Sequence, residues 1–276
     1  MKVKLIDRKL VKAFGGIVSW ISTAASLFLI FVTLPDDCTL RICLAIGFVL
    51  LLIGIYFYLW WKANHTANIS LQVQGTNVEV KVGDIFEADG LKVIPFNEYY
   101  DTIVDDKIIS SKSLHGQYIQ KHAGISADEL RELFDNDLSL RDHIARVDMQ
   151  RTRGSQTAYE LGTIYKHNDY LLLAFTKFDS NNRAYLDNKL LWNCLINMWK
   201  NIDVVHNGQS ICIPLLGTGI TRLKEMNLNE QQLLELLLVS LRLSGVKFNW
   251  NVKITIIVYS GNQDMIDLYG LSTYSD

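Results

Sequence analysis

The chain has 276 residues, of which 49% are hydrophobic, and its formal net charge at pH 7 is only -2. This balance gives no global basic field, so we expect no nucleic-acid partner. The 4 cysteines and 6 histidines show no CxxC, H-E-x-x-H or related spacing, which argues against a disulfide framework and a metal site. We expect no cofactor.

Two uncharged segments near the N-terminus, 14–34 and 42–61, predict a pair of membrane-spanning helices. A helix of about 20 residues matches a hydrocarbon core of roughly 30 Å. The second segment ends in aromatic residues typical of the membrane–water interface, Tyr56, Tyr58, Trp60 and Trp61. The alternatives are a signal peptide and a buried helical hairpin. Because the two segments follow each other directly, we expect residues 1–64 to form a transmembrane hairpin.

The distribution of basic residues predicts the orientation of this hairpin. The residues ahead of the first segment include Lys2, Lys4, Arg8, Lys9 and Lys12. Lys62 follows the second segment, whereas the connecting loop contains one arginine and two aspartates. The positive-inside rule then places both termini in the cytoplasm. We therefore expect a multi-pass protein of the cell inner membrane, with residues 65–276 forming a cytosolic domain.

The predicted cytosolic domain opens with a hairpin, because the alternating strands 69–74 and 78–82 flank a turn. A third strand, 91–96, follows and ends at Asn97. Asp84 and Asn97 each come directly after a strand, where side chains can meet a ligand at the sheet edge. Asp84 is suited to accept from an exocyclic amine, and Asn97 to bond ribose hydroxyls. An ordinary turn-forming role is the alternative for both residues.

Residues 98–155 have no clear position in a sheet, and we interpret them as an insertion that shapes or covers a pocket. Ser126 and Glu129 have the spacing of a capping box, which predicts a helix there. The stretch 110–116 is loop-like. Lys112 and His115 within it are able to face an anion, although a solvated surface loop is the simpler interpretation.

Regular structure is predicted again after residue 157. The expected elements are strands 158–165 and 170–176, an amphipathic helix within 183–202, a strand 211–216, a helix capped by Asn229 and Gln232 and ending before Gly245, a strand 252–259, and a terminal helix 263–269. This alternation predicts an α/β sheet with helices on both faces.

The strand 211–216 runs directly into Gly217-Thr218-Gly219. Glycines permit backbone conformations that turn successive main-chain N–H groups toward one point, which creates an anion-binding concavity. Ligands of open α/β sheets bind outside the carboxyl ends of the strands, where this loop is expected. The functional interpretation is a cradle for a phosphate or diphosphate. The alternative is a tight turn at the end of a strand.

Three motifs in this order resemble those of macro domains, which are α/β modules that bind ADP-ribose. Gly83-Asp84-Ile85 resembles the family's Gly-Asp-Ile, Asn97 keeps the last position of its Val-Asn-Ala-Ala-Asn, and residues 214–219 are similar to its Pro-Ala-Ile-Gly-Thr-Gly. The resemblance implies a macro-domain-like mixed sheet over residues 69–276, apart from 98–155. It also implies that Asp84 receives the adenine amine, that the N–H of Ile85 approaches the ring, and that the glycine loop wraps the diphosphate and distal ribose.

Two transmembrane segments ahead of a divergent macro domain resemble the membrane effectors of type II Thoeris anti-phage systems. The resemblance implies that a TIR-domain partner makes a histidine–ADP-ribose conjugate, and that the effector binds it, forms a homo-oligomer and disrupts the bilayer in abortive infection. The segments 97–102 and 110–116 look like that family's replacements for the usual macro-domain loops, and would contact the added group. The ligand-binding residues implied in this way are Asp84, Ile85, Phe96, Asn97, Thr102, Leu114, His115, Gly116, Leu216, Gly217, Thr218, Gly219, Ile220, Thr221 and Arg222.

Two other functions are open on the sequence. The segment 98–102 stands where hydrolytic macro domains have a glycine-rich loop, so the resemblance favours a receptor that is not an enzyme. The enzymatic alternative is a membrane-anchored ADP-ribosyl hydrolase with Asp101, Asp105 or Asp106 as the general base. The third interpretation is a scaffold that recruits a partner to the membrane, for which the glycine loop is not needed.

Overall fold

The computed structural model describes residues 3–32, 35, 37–179, 182–219, 222–223 and 228–275. The chain divides into two compact units. The first comprises Met1–Ala67 together with Asp267–Gly270, and the second comprises Asn68–Ile266 together with Leu271–Asp276.

The first unit is built on two long apolar helices, α1 (Arg8–Phe31) and α2 (Cys38–His65). The side chains of Asp7 and Asp37 cap their first turns by accepting main-chain N–H groups. Leu10 and Ala63 are the buried residues of these helices in the described part of the chain. Both helices are long and apolar enough to cross a membrane, and the predicted pair of N-terminal apolar helices is confirmed.

The N-terminal residues are held against the end of α2. The main-chain N–H of Val3 donates to Oδ1 of Asn64 at 3.0 Å, and Nε1 of Trp60 donates to the carbonyl of Val3 at 3.1 Å. Further along, the rings of Phe14 and Tyr56 meet edge to face. These contacts fix the start of α1 relative to α2, so the two helices form one unit.

The second unit contains a mixed sheet. The strands of this unit are β1 (Asn68–Val73), β2 (Thr76–Val82), β3 (Leu91–Asn97), β4 (Ile144–Val147), β5 (Thr157–Tyr159), β6 (Ile164–His167), β7 (Tyr170–Phe178), β8 (Ala184–Leu186), β9 (Ile211–Pro214), β10 (Arg222–Leu223) and β11 (Lys253–Val258). In the described residues the main sheet has the order β1-β2-β11-β9-β3-β7-β8-β10, with β6 paired to β7, while β4 and β5 form a separate pair. The predicted hairpin is the antiparallel pair β1 and β2.

Five neighbouring strands, β2, β11, β9, β3 and β7, run parallel to one another. Their carboxyl ends therefore lie at one edge of the sheet, and the segments that begin at Gly83, Leu215 and Glu98 leave the sheet there. β1 is antiparallel to β2, with Asn68 opposite Lys81. The chain thus enters this unit at the same edge.

Helices cover both faces of the sheet, as predicted. They are α3 (Leu114–Gln117), a π-helix (Tyr118–His122), α4 (Ala127–Asn136), α5 (Leu138–Arg141), α6 (Asn188–Val205) and α7 (Glu230–Ser244). α6 and α7 pack together, with Nε1 of Trp199 donating to Oγ of Ser240 at 2.8 Å. The predicted capping boxes are present at Ser126 with Glu129 and at Asn229 with Gln232, and Gly245 ends α7 in the left-handed conformation.

Apolar side chains in the first part of the segment 98–155 are packed into the core. Tyr100, Tyr118, Leu130 and Phe134 are at most 1% exposed and share one hydrophobic cluster with Phe96 of β3. The expectation of a solvated surface loop at 110–116 is wrong for its last two residues, since His115 and Gly116 are buried. The sequence concealed this packing because polar residues are interspersed with the buried aromatic ones.

Three predicted elements have different bounds. The strand expected at 158–165 is divided into β5 and β6 by Gly162, whose φ of +93° and close approach to the carbonyl of Cys194 both require glycine. The start of the expected helix at 183–202 is strand β8, and α6 begins only after its N-cap Asp187. In place of the terminal helix there are two 3-10 segments, Ser260–Met265 and Tyr269–Tyr274.

Candidate functional site

A cavity of about 860 Å³ opens at the carboxyl edge of the parallel strands. Ten of the residues predicted to bind the ligand line it: Asp84, Ile85, Phe96, Asn97, Leu114, His115, Leu216, Gly217, Thr218 and Gly219. They come from segments that follow different strands, so the fold assembles the cavity from parts that are distant in sequence.

The glycine loop forms one wall of the cavity. β9 ends at Pro214, the N–H of Leu215 still donates to the carbonyl of Ile257 at 3.0 Å, and the Thr218 hydroxyl bonds the carbonyl of Leu215. Gly217 has a φ of +88°, which a residue with a side chain rarely adopts. Within the described residues, none of the amides of 216–219 donates to a protein carbonyl. The amides required for an anion cradle therefore have no acceptor among the described residues.

Of the other five predicted site residues, two do not line the cavity, and the side chains of the remaining three are not described by the structure. Thr102 and Gly116 are buried and are not among the lining residues. A Cβ on Gly116 would lie 2.2 Å from the carbonyl oxygen of Ser110, so this glycine serves close packing of two main-chain segments. Ile220 and Thr221 lie outside the described residues. Arg222 begins β10, and the structure describes its main chain only.

Asp84 and Ile85 form the wall that follows β2. Oδ1 of the exposed Asp84 accepts from the N–H of Phe86 at 2.9 Å, and its second carboxylate oxygen has no partner in the described part of the chain. The ring of Phe86 stacks on that of His122, with centroids 4.0 Å apart. These contacts fix the turn from Asp84 to Phe86. They leave one carboxylate oxygen of Asp84 able to accept a hydrogen bond from a ligand.

Asn97 has a different environment from the one expected. Its Oδ1 accepts from the N–H groups of Tyr99 at 3.0 Å and Asp101 at 3.3 Å, and its Nδ2 donates to Oδ2 of Asp101 at 3.0 Å. The amide oxygen is therefore engaged by the main chain, and only the second N–H of Nδ2 is left for a ligand. Asn97 chiefly shapes the turn that follows β3.

Two buried carboxylates follow Asn97, and each meets an arginine in a two-bond contact. Glu98 binds Arg146 at 2.8 and 2.7 Å, and Asp101 binds Arg151 at 2.9 and 2.7 Å. The guanidinium of Arg151 also donates to Asn182 at 3.0 Å and lies 3.9 Å from the centre of the Tyr99 ring. These contacts tie the turn after β3 to the segment after β4 and to the cavity wall at Asn182.

The candidate general bases are poorly suited to that role. The Asp101 carboxylate is fully buried in its ion pair. Partial burial of Asp105 opposes ionisation, but N–H donors from Ile108 and Lys107 and the nearby Arg153 guanidinium together lower its pKa. The N–H and hydroxyl of Ser111 lower the pKa of Asp106. A lowered pKa makes the carboxylates of Asp105 and Asp106 weaker bases, and the carboxylate of Asp101 is occupied by Arg151, so none of the three favours proton abstraction.

His115 is buried beside the aromatic floor of the cavity. Its ring lies 3.6 Å from that of Phe96, centre to centre, and its Nε2 is 2.9 Å from the main-chain oxygen of Asp101. Burial lowers the pKa of His115 from 6.5 to about 3, although the bond to Asp101 opposes the shift. The imidazole is therefore neutral at pH 7 and presents no positive charge to a ligand.

The neutral His115 predicts an acid-sensitive fold. Its pKa is 6.5 when unperturbed and about 3 in the folded protein, so below pH 6.5 the unfolded chain binds a proton that the folded chain does not. The free energy of unfolding should fall by about 2 kcal/mol from this group between about pH 7 and pH 5. Urea unfolding of the detergent-solubilised protein at both pH values measures the effect. His115→Gln should remove this part of the loss, and an equal loss in the variant would contradict the prediction.

Several lining residues were missed by sequence reasoning. They are Lys107, Asn182, Arg183, Tyr259 and Asn262. Tyr259 directly follows β11 and is 67% exposed, so a large aromatic ring is available at the cavity mouth. Its position after a parallel strand, the same signal that identified Asp84 and Asn97, was enough to find it. The residues 182–183 gave no signal, because their place depends on the pairing of β7 with β8.

Comparison with known proteins gives two sequence matches. The family described as Thoeris protein ThsA, Macro domain, matches residues 78–259. Thoeris protein ThsA of Bacillus amyloliquefaciens (strain Y2) is 38% identical over 266 residues, which is 94% of this chain and 87% of that protein. The family match spans the cavity-lining segments from Gly83 to Tyr259.

Two solved structures of an Oceanobacillus iheyensis macrodomain are also similar. The structure with ADP has a TM-score of 0.46 and 14% identity, and the match covers 76% of this chain and 97% of that one. The structure with MES bound has a TM-score of 0.43 and 14% identity, with 75% and 94% covered.

Proposed function

The chain belongs to the Thoeris protein ThsA family, and on that premise we propose that it is a membrane-tethered receptor for an ADP-ribose-type signalling nucleotide. In this proposal a TIR-domain partner supplies the nucleotide as a histidine–ADP-ribose conjugate. Binding then drives homo-oligomerisation, and the assembled protein disrupts the inner membrane of an infected cell.

The observation that carries the proposal is the glycine loop. Residues 216–219 line a cavity of about 860 Å³, and in the described residues their amides donate to no protein carbonyl. Several main-chain N–H groups beside a positive-φ glycine are suited to a diphosphate. The volume also lies within the range of roughly 300–1,000 Å³ that small-molecule sites occupy.

The strand order suggests how an extended nucleotide lies in the cavity. Along the sheet, β2, β11, β9 and β3 are neighbours, and they lead to Asp84, Tyr259, the glycine loop and Phe96 respectively. Strands lie about 4.8 Å apart, so this path is about 14 Å long. We assign the adenine to Asp84 and Tyr259, the diphosphate to the glycine loop, and the distal ribose with its added group to the region around Phe96.

The same assignment gives roles to individual groups. The unpartnered oxygen of Asp84 would accept from the adenine amine, and the N–H of Ile85, which has no acceptor among the described residues, would approach the ring. Lys107, Lys112 and Arg183 line the cavity as cations. A ligand with two phosphates is favoured there because charge-assisted hydrogen bonds are stronger than neutral ones.

The proposal assigns no reaction to the protein. The absence of a reaction is supported by the three carboxylates considered as general bases. Asp101 is in a buried ion pair, and Asp105 and Asp106 have a lowered pKa. Signalling would then depend on conformation alone, with both termini of the helical pair in the cytoplasm. Ligand binding can shift the protein toward an assembled state only by binding that state more tightly.

Calorimetric titration of the full-length protein in lipid nanodiscs tests the proposal. We expect saturable heat with ADP-ribose and tighter binding of its histidine conjugate, and no heat with either nucleotide would refute the receptor. Incubation with an ADP-ribosylated protein separates the enzymatic alternative, since a hydrolase would release free ADP-ribose. Dye-loaded liposomes that contain the protein should leak on addition of the conjugate.

A further inference from the structure

The tautomer of His115 is determined by its contact with the main chain. Nε2 lies 2.9 Å from the carbonyl oxygen of Asp101, and a carbonyl oxygen only accepts hydrogen bonds. Nε2 must therefore carry the hydrogen. Since burial keeps the ring neutral, Nδ1 carries a lone pair and no hydrogen.

The ring of His115 is also held in place. Phe96 packs against it at a centroid distance of 3.6 Å, and the carbonyl that it bonds belongs to the residue whose side chain is clamped by Arg151. The N–H of Ser155 donates to the same carboxylate at 2.7 Å, which fixes Asp101 further. The imidazole is thus anchored through a chain of buried contacts.

Nδ1 of His115 is the atom of this ring that remains for a ligand. Across the ranges that the structure describes, no protein group donates a hydrogen bond to it, and His115 is a lining residue of the cavity. Because the His115 ring packs on Phe96, it lies at the end of β3. β3 is the neighbour of β9, the strand that leads into the glycine loop. An extended nucleotide would reach this point with the group distal to its diphosphate.

We propose that His115 is a specificity-determining residue, whose Nδ1 accepts a hydrogen bond from a hydroxyl or N–H donor on the distal group of the nucleotide. This inference rests on the proposed receptor function. A fixed, uncharged acceptor favours a distal group that carries a donor. It disfavours one that presents only an anion or an apolar surface, because Nδ1 would then lose solvent without gaining a partner.

Binding of a short and a long nucleotide can distinguish a ligand-contacting role of His115 from a purely structural one. In the proposed placement, AMP would reach Asp84 and the glycine loop but has no distal group, whereas ADP-ribose would extend to His115. His115→Phe keeps an aromatic ring on Phe96 but removes the acceptor. We expect the variant to lose about tenfold in affinity for ADP-ribose, the size of one lost hydrogen bond, and to bind AMP as wild type does.

The titrations use the full-length protein in nanodiscs, with two further variants. His115→Gln can donate to Asp101 and accept from the ligand, so it should recover most of the ADP-ribose affinity. Arg153→Gln alters an exposed ion pair with Asp105 and should bind both nucleotides as wild type does.

The outcomes distinguish this inference from the function on which it rests. If wild type binds neither nucleotide, the receptor function itself is wrong. If wild type binds both and His115→Phe binds ADP-ribose unchanged, only the inference is overturned. An equal loss for AMP and ADP-ribose also overturns it, because a general distortion of the cavity would affect both.

A measurement on the wild-type protein covers the case in which His115→Phe does not fold. In protein labelled with ¹⁵N-histidine, the His115 resonances, assigned by their absence in His115→Gln, should report a neutral ring with hydrogen on Nε2. Saturating ADP-ribose should shift the Nδ1 resonance, and saturating AMP should not. An Nδ1 resonance that ADP-ribose leaves unchanged, or a hydrogen on Nδ1, overturns the inference.

Discussion

Gly217→Val is expected to lower the affinity for ADP-ribose by at least about 100-fold and to abolish ligand-dependent liposome leakage. Gly217 has a φ of +88°, and a β-branched residue there is strained by about 1–3 kcal/mol. The loop would relieve this strain by turning away from its present path, and its amides would then no longer converge. Loss of two charge-assisted hydrogen bonds, at about 1.5–3 kcal/mol each, accounts for the expected change.

Gly219→Ala is the matched control in the same loop. A Cβ built on Gly219 meets no atom of the described residues within 4 Å. Its backbone also lies outside the positive-φ region that Gly217 occupies. Calorimetry should find ADP-ribose affinity within about threefold of wild type, since neither strain nor a clash arises. A folded Gly217→Val protein that retains leakage activity would favour the scaffold interpretation over the receptor.

The features that were predictable from sequence are those that neighbouring residues determine. The hairpin of β1 and β2, the capping boxes at Ser126 and Asn229, and the glycine loop after β9 each depend on a few consecutive side chains. The two apolar helices are equally local, because their length and composition alone indicate them. The order of these motifs was sufficient to suggest the fold.

The remainder of the site depends on partners that are distant in the chain. The sequence offered Asp101 as a candidate general base, but Arg151, 50 residues later, makes it part of a buried ion pair. The simpler interpretation of His115 was a position in a solvated surface loop, and only its packing on Phe96 and its bond to Asp101 reveal a buried, neutral acceptor. Sequence patterns record the residue type, whereas the protonation state depends on the surroundings.

Arg151→Met is expected to destabilise the protein by about 3–5 kcal/mol, because it leaves the carboxylate of Asp101 buried without its cation. The side chains of Asp101 and Arg151 are 0% and 8% exposed, so water cannot replace the lost contacts without opening the structure. Methionine has a similar length and retains the packing against Tyr99. Urea unfolding of the detergent-solubilised protein measures the change.

Two further arginines provide a graded comparison with Arg151. Arg153 is 52% exposed, and Arg153→Met should cost at most about 1 kcal/mol, as expected for a surface ion pair. Arg146 is 40% exposed although its partner Glu98 is buried. The free energy of unfolding lost in Arg146→Met should therefore lie between the losses in the other two variants. Equal losses for Arg151→Met and Arg153→Met would contradict the prediction, because burial would then make no difference.

The double variant Asp101→Asn with Arg151→Met shows whether the uncompensated charge is the cause. If the uncompensated charge is the cause, the double variant should regain about 1–3 kcal/mol of the free energy of unfolding lost in Arg151→Met. The neutral amide of asparagine can still accept from the N–H of Ser155. If the loss comes from packing of the guanidinium on Tyr99, the double variant should be no more stable than the single one. The ADP-ribose affinity of the double variant then reports whether the ion pair is needed to hold the turn after β3, because Asp101 carries the carbonyl that orients His115.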